Sequence, residues 1–267
     1  MTAMQLSPLM DAHIHLDSYE EKQRLAILHE LESSRVESVI AVSMNLASSK
    51  VNRKLAQAYP ALVKPAFGFH PEQPLPSKQE IDELFTWMER YVGDMIAVGE
   101  VGLPYYNRTE AEQSGESFTL APYIELLERF VAFAKQHDKP IVLHAVYEDA
   151  DIACDLLEQY GVTKAHFHWF KGAEHTVQRM AERGYFVSFT PDIVYDPEIQ
   201  QLAKVYPISQ VMAETDGPWP FEGPFQGKMT HPAMTAEVVQ AWCELHGLQL
   251  HAGRKQMYNN TMNFYLK

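Results

Sequence analysis

The chain is predicted to fold as a single α/β domain, a (β/α)8 TIM barrel of parallel strands inside an outer ring of helices. Two observations predict it. Eight short β-branched or apolar runs alternate with longer stretches of helical periodicity, and no hairpin turn signals separate them. Six potential metal ligands, His13, His15, Glu100, His144, His168 and Asp216, sit at or near the C-terminal ends of runs far apart in sequence. Such residues converge only if their strands run parallel about a common axis, as in a barrel whose site is built at the C-terminal face. A doubly wound open sheet would instead gather its ligands at one switch point.

Strand one is read as Leu9–His15. Residues two apart on a strand share a face, so Asp11, His13 and His15 are expected together, with Met10, Ala12 and Ile14 turned toward the helices. The two imidazoles form a chelating pair. Asp11 either fixes a histidine tautomer from behind the ligands or is a buried, hydrogen-bonded carboxylate. Strands two and three are Ser38–Ser43 and Val63–Phe69. Strand four, Met95–Glu100, is expected to point Ile96, Val98 and Glu100 inward, and a carboxylate there can offer one oxygen to each of two cations. The segment Pro104–Ala121, with its polar run NRTEAEQSGES, reads as an irregular lid or substrate-contacting loop.

Apolar residues at helical spacing follow at Ile124, Leu127, Phe130, Val131 and Ala134. Strand five, Pro140–His144, ends on a candidate ligand, and a second helical stripe runs through Ile152, Ala153, Leu156, Leu157 and Tyr160. Strand six, Lys164–Trp169, offers His166 and His168 on one face. His168 is nearer the rim and is preferred as ligand, with His166 in a supporting role. Strands seven and eight are Tyr185–Phe189 and Gln210–Glu214. Just past strand eight, Asp216 is placed to handle a nucleophilic water, with Glu214 deeper. Gly217–Thr230 reads as irregular, and Asn259–Lys267 as the end of a closing helix packed on the barrel wall.

The bulk properties narrow the function. At 267 residues with net charge −13, the chain is ill suited to coating nucleic acid, where affinity comes from basic residues neutralising phosphates. An enzyme acting on phosphate esters is compatible with that charge, because bound cations reverse the local field. The two cysteines, Cys154 and Cys243, form no metal or disulfide pattern, and the cytoplasm is the expected compartment. The opening MTAMQLSPLM lacks the basic and apolar regions of a leader, and no apolar run of about 18 residues suggests a membrane span. Neither a Ser-His-Asp set nor a glycine-rich phosphate loop competes with the metal reading.

The ordered motifs resemble those of the TatD-like metal-dependent hydrolases, usually described as deoxyribonucleases, over nearly the whole chain. DAHIHLD at Asp11–Asp17 is similar to the family's opening DxHxHLD. Gly68-Phe69-His70-Pro71 is similar to GxHP, Gly99-Glu100-Val101-Gly102-Leu103 to GEIGL, and PIVLH at Pro140–His144 to the strand-five motif. His168-Trp169-Phe170-Lys171-Gly172 resembles HCFSG, and Glu214-Thr215-Asp216-Gly217-Pro218 resembles ETDxP. The resemblance implies two divalent ions per chain, one on His13, His15, Glu100 and Asp216 and the other on Glu100, His144 and His168. It also implies His70 as a group on the substrate side or behind the ligands, where its plainer reading is a histidine capping a Pro-bounded turn. Lys171 is a candidate phosphate contact or an ordinary surface lysine.

Three departures bear on substrate. Pro104 stands where the family commonly has Asp, Val146 where it has Arg, and Gln226 in PFQGKMTHP replaces another Arg. Arginine forks grip phosphate bidentately, so their loss weakens the inference to DNA while leaving the ligand set intact. The expected activity is metal-dependent hydrolysis of phosphodiesters, such as DNA, with Asp216 and Glu100 as the catalytic carboxylates. The alternatives are an amide or lactone hydrolase and a non-catalytic metal-binding barrel. By ligand type the set suits Zn or Mn, whereas the resemblance implies Mg.

Overall fold

The computed structural model describes residues 6–267; residues 1–5, part of the opening stretch read as carrying no leader, lie outside the described residues. Eight parallel strands pair in chain order, β1 (Leu9–Ile14), β2 (Val36–Ala41), β3 (Val63–Phe67), β4 (Ala97–Gly102), β5 (Ile141–His144), β6 (Ala165–Phe167), β7 (Phe186–Phe189) and β8 (Val211–Ala213). Beyond the paired strands, the Asp216 amide donates to the His13 carbonyl and the His15 amide to the Gly217 carbonyl, bridging the seam between the last strand and the first. The expected (β/α)8 barrel is what forms.

The helices between strands are α1 (Glu21–Glu30), α2 (Leu46–Ala58), α3 (Lys78–Arg90), α4 (Tyr105–Ser114), α5 (Ala121–Gln136), α6 (Asp149–Tyr160), α7 (Glu174–Glu182) and α8 (Pro197–Val205). Two more, α9 (Thr235–His246) and α10 (Leu250–Tyr265), close the chain. Most of the two predicted stripes is buried, Leu127, Phe130, Val131 and Ala134 on α5 and Ala153, Leu156 and Leu157 on α6, while Ile124, Ile152 and Tyr160 are half-buried against the same layer. They join Ile141, Leu143, Phe167, Val187, Phe189 and Val211 in the apolar layer between strands and helices. Each fully buried side chain of this size contributes about 1.5–3 kcal/mol.

Strict alternation fails on the two strands that matter most. Met10 and Ala12, expected to face the helices, pack instead in the barrel interior with Ile40, Ala97, Val142 and Met212, while Ile14 faces outward. The cause is a bulge. Asp11 is opposite Val39 and Ile14 opposite Ala41, so three steps on β1 match two on β2. The extra residue switches which parity points inward and turns His13 and His15 into the mouth. Strand β4 does the same, since Val98 pairs with Ile141 and Val101 with Leu143. Val98, expected inward beside Glu100, therefore lies in the helix-facing layer, and Ala97 lies inside.

Two other expectations are corrected. The segment Pro104–Ala121 is not irregular throughout, because it contains α4, which ends on Gly115 at φ 79°. This helix buries none of its own side chains, so it has no apolar stripe to announce it. The closing helix does more than line the wall. Phe264 and Tyr265, at the end of α10, pack into the interior cluster with Met10 and Met212 and plug the N-terminal end of the barrel. Gly217–Thr230 is irregular as expected, apart from a single 3-10 turn at Gly223–Phe225. Among the described residues, no helix is long and apolar enough to cross a membrane.

Candidate metal centre

Polar groups fill the barrel above the apolar plug. At the base, His166 is held by the Tyr265 hydroxyl at Nδ1 (2.6 Å) and by the Ser188 hydroxyl at Nε2 (2.5 Å). Burial holds its pKa well below the ordinary histidine value, as do the nearby His13 and His168. With both nitrogens engaged, His166 has no lone pair to spare for a ligand role. Ser188 passes on to Glu214 Oε2 (2.5 Å), whose Oε1 accepts the Trp169 amide (2.9 Å) and lies 3.6 Å from His168 Nδ1.

Glu100, fully buried at the centre, sorts the remaining groups. Its Oε2 lies 3.1 Å from both His13 Nε2 and His15 Nε2, and these nitrogens lie 3.3 and 3.5 Å from Asp216 Oδ1. Its Oε1 lies 2.6 Å from His168 Nε2 and 3.1 Å from His144 Nδ1, which are 3.3 Å from each other. One carboxylate thus faces two donor groups, a different oxygen toward each.

The donor atoms behave as ligands would. His13 Nε2, Glu100 Oε2 and Asp216 Oδ1 are buried yet make no hydrogen bond, although they lie close to one another. Their lone pairs converge on a shared point instead of on each other. Bond lengths near 2.1 Å put neighbouring ligand atoms about 3.0 Å apart in octahedral and about 3.4 Å in tetrahedral geometry. The spacings around Glu100 Oε2 and Asp216 Oδ1 fall in or next to that range. The residues present therefore fit a divalent cation.

The charges agree. Burial alone would raise the Glu100 pKa, but His168, His70 and His13 outweigh it and hold the carboxyl well below the ordinary range. Asp216 is also lowered, with His13 and His168 overcoming the effect of burial. His13 is pushed down by burial and by His168, but Glu100 and Asp216 prevail and lift it to about 9.

His70 stands apart from these two groups. Its Nδ1 accepts the Glu72 amide (3.1 Å), so the neutral ring carries its proton on Nε2, 3.3 Å from Glu100 Oε1. Burial lowers its pKa, which favours that neutral form. Although His70 Nε2 lies close enough to His15 and Glu100 to form a ligand triplet by distance alone, a nitrogen carrying a proton cannot ligate. His70 is a donor aimed at the centre, and its Nδ1 also caps the Pro71 turn.

Of the two alternatives for Asp11, the structure takes the buried hydrogen-bonded carboxylate. Asp11 accepts the amides of His13 (3.2 Å) and Thr215 (3.0 Å) and the Thr215 hydroxyl, tying β1 to the end of β8 without touching an imidazole. Burial raises its pKa to about 8. Lys171 Nζ donates to Asp196 Oδ2 (2.8 Å). Sequence reasoning passed over Glu72, whose carboxylate accepts the amides of Tyr106 and Asn107 (both 2.8 Å) and lies 3.3 Å from His144 Nε2. It also passed over the exposed rings of Tyr106 and Trp219.

Backbone geometry delivers several of these groups. Tyr147, Trp169 and Asp216 take φ of 51°, 38° and 47°, each just past the C-terminal end of a strand. For a residue as large as Trp169 this is an outlier, held by its amide on Glu214 and its indole N–H on Asp192 (2.5 Å).

Comparison with known proteins agrees with this architecture. The family described as TatD related DNase matches residues 10–266. An uncharacterized metal-dependent hydrolase of Haemophilus influenzae is 40% identical over 257 residues, covering 96% of this chain and 99% of its own. The human deoxyribonuclease TATDN3 is 27% identical over 220 residues, 79% of this chain and 78% of its own. The crystal structure of YjjV, a TatD homologue from Escherichia coli, superposes with a TM-score of 0.82 at 24% identity, covering 96% of this chain and 97% of that one.

Proposed function

The chain belongs to the TatD-related DNase family of metal-dependent hydrolases, and from that premise we propose a phosphodiesterase that cuts DNA. The observation that carries the catalytic part is the division of Glu100 between two donor groups whose converging atoms lack protein partners. We assign one divalent ion to His13, His15, Glu100 and Asp216, and a second to Glu100, His144 and His168. Ions held there supply Lewis acidity and bring the pKa of a water from 15.7 toward about 7. The mixed imidazole and carboxylate donors favour Zn or Mn over Mg.

The protein's own groups then divide the work. Asp216, slightly exposed at the mouth, orients the attacking water and accepts its proton. Attack falls on phosphorus, the bond from phosphorus to the leaving oxygen breaks, and that oxygen takes up the proton Asp216 accepted. His70 donates a hydrogen bond from Nε2 to a phosphoryl oxygen, and the buried Glu214–Ser188–His166 chain lies beneath His168. The reading of DNA as substrate is supported by the family and by the name of the human relative. Cys154 and Cys243 are both free and buried, which suits a reducing cytoplasm.

One observation favours a second reading. Two cations in the segments past the strand ends are engaged, Arg108 by Glu148 (3.0 Å) and Asp149 (2.8 Å), and Lys171 by Asp196. With Val146 and Gln226 also in place of arginines, the guanidinium forks that grip phosphate are missing from those two positions, as would suit an amide or lactone hydrolase. Assays on bis-p-nitrophenyl phosphate and a single-stranded oligonucleotide, beside amide and lactone panels, separate the two. We expect phosphodiester turnover that a chelator abolishes and added Zn or Mn restores. Turnover of amides or lactones alone would overturn the nuclease reading, and chelator-resistant turnover would overturn the ion assignment.

A further inference from the structure

His144 presents Nδ1 to the centre, 3.1 Å from Glu100 Oε1 and 3.3 Å from His168 Nε2. An imidazole offers a lone pair there only if its proton sits on Nε2, and something must hold it there. The group facing Nε2 is Glu72 Oε1, at 3.3 Å. With a cation taking the Nδ1 lone pair, the one proton of the neutral ring lies on Nε2, and the Glu72 carboxylate is the acceptor that receives it. The same Oε1 accepts the Tyr106 amide and Oε2 accepts the Asn107 amide, both at 2.8 Å, in the first turn of α4.

That helix has no cap of its own. Its N-cap is Pro104, which offers no side-chain acceptor, and its first turn contains no acid. Glu72, from the loop after β3, supplies what the helix start lacks. Its backbone amide meanwhile donates to His70 Nδ1 (3.1 Å). One residue thus sits between two imidazoles whose ring centres are 4.8 Å apart, setting the proton on each. The Tyr106 ring, carried by the capped turn, meets His144 edge-on at 5.9 Å.

We propose that Glu72 is a positioning residue, holding His144 with Nδ1 free for a cation and fastening the start of α4 over the mouth by the same carboxylate. The inference rests on the two-ion reading above. It predicts that the ion held through His144 depends on Glu72, while the ion held by His13, His15 and Asp216 does not.

The test is Zn2+ titration of the metal-stripped full chain against a chromophoric chelator. Nitrogen-15 spectra of the zinc-loaded protein report the His144 Nε2 proton. Wild type should bind two ions. Glu72→Ala should weaken one of them about 10- to 100-fold, leave the other unchanged, and lose the His144 Nε2–H signal. Glu72→Gln, which is close in shape and keeps one acceptor oxygen, should restore part of the affinity. Arg108→Ala loosens α4 from Glu148 and Asp149 without touching Glu72 and should change neither affinity. Equal Zn2+ affinities in wild type and both Glu72 variants would overturn the inference while leaving two ions standing. Equal weakening by Arg108→Ala would also overturn it, assigning the effect to the helix and not to the imidazole. Failure of wild type to bind Zn2+ at all would overturn both this inference and the reading beneath it.

Discussion

Asp216 is delivered to the mouth by a left-handed backbone step and by the hydrogen bond its backbone amide donates to the His13 carbonyl, so removing its side chain should leave the barrel seam intact. Asp216→Ala is expected to lower kcat/KM on a phosphodiester by at least about 10³-fold, near 4 kcal/mol of barrier, with an unchanged circular dichroism spectrum. Activity within tenfold of wild type would remove Asp216 from the mechanism. Asp192 makes a different kind of prediction. Burial is the main cause of its pKa rising to about 6 from 3.8, against the opposing bonds from Thr190 and Trp169. The native state therefore holds this proton more tightly than the unfolded chain. The stability Asp192 contributes is full below pH 3.8 and is lost as pH rises through about 6. Relative to Asp192→Asn, wild type should lose up to about 3 kcal/mol between acid and neutral pH, read by urea unfolding in chelator. A flat difference across that range would refute the assignment. At this scale the sequence was informative wherever a residue's type and its position in a motif sufficed, as for His13, Glu100 and Asp216. Glu72 escaped because its partners lie about 35 and 72 positions away, and no local pattern marks them.

Strands β4 and β5 must approach closely for Glu100 and His144 to face one another. Gly102 allows this, since a Cβ there would lie 1.9 Å from the His144 carbonyl oxygen. Gly102→Ala is expected to cost more than about 2 kcal/mol by forcing the strands apart. It should also reduce bound metal, measured by thermal unfolding and metal content of the purified protein. Full metal content with unchanged stability would show that the strands can yield. Strand and helix identities were legible because periodicity of two and of 3.6 is a local property. The bulges on β1 and β4 were not. Each is defined by register against a neighbouring strand, and a single inserted residue reverses every side chain beyond it. Helix α4 was missed for a related reason, since its stability comes from a distant carboxylate and from propensity instead of from an apolar face.

Across the whole molecule, α10 links the chain's last turn to the centre. Tyr265 bonds His166, which bonds Ser188, and Glu214 then reaches toward His168. Tyr265→Phe leaves the buried His166 Nδ1 without a partner and should cost about 1–3 kcal/mol, a fall of roughly 2–6 °C in Tm for a chain of this size. No change in Tm would mean that water replaces the hydroxyl. The barrel itself and the order of its candidate ligands were determined by the sequence, because alternation of elements and residue type at strand ends survive translation into space. Which faces turn inward on β1 and β4, which imidazole nitrogen is free, and which acid stands behind it were decided only by the tertiary structure. Those choices depend on register between strands and on atoms brought together from loops that share no sequence neighbourhood.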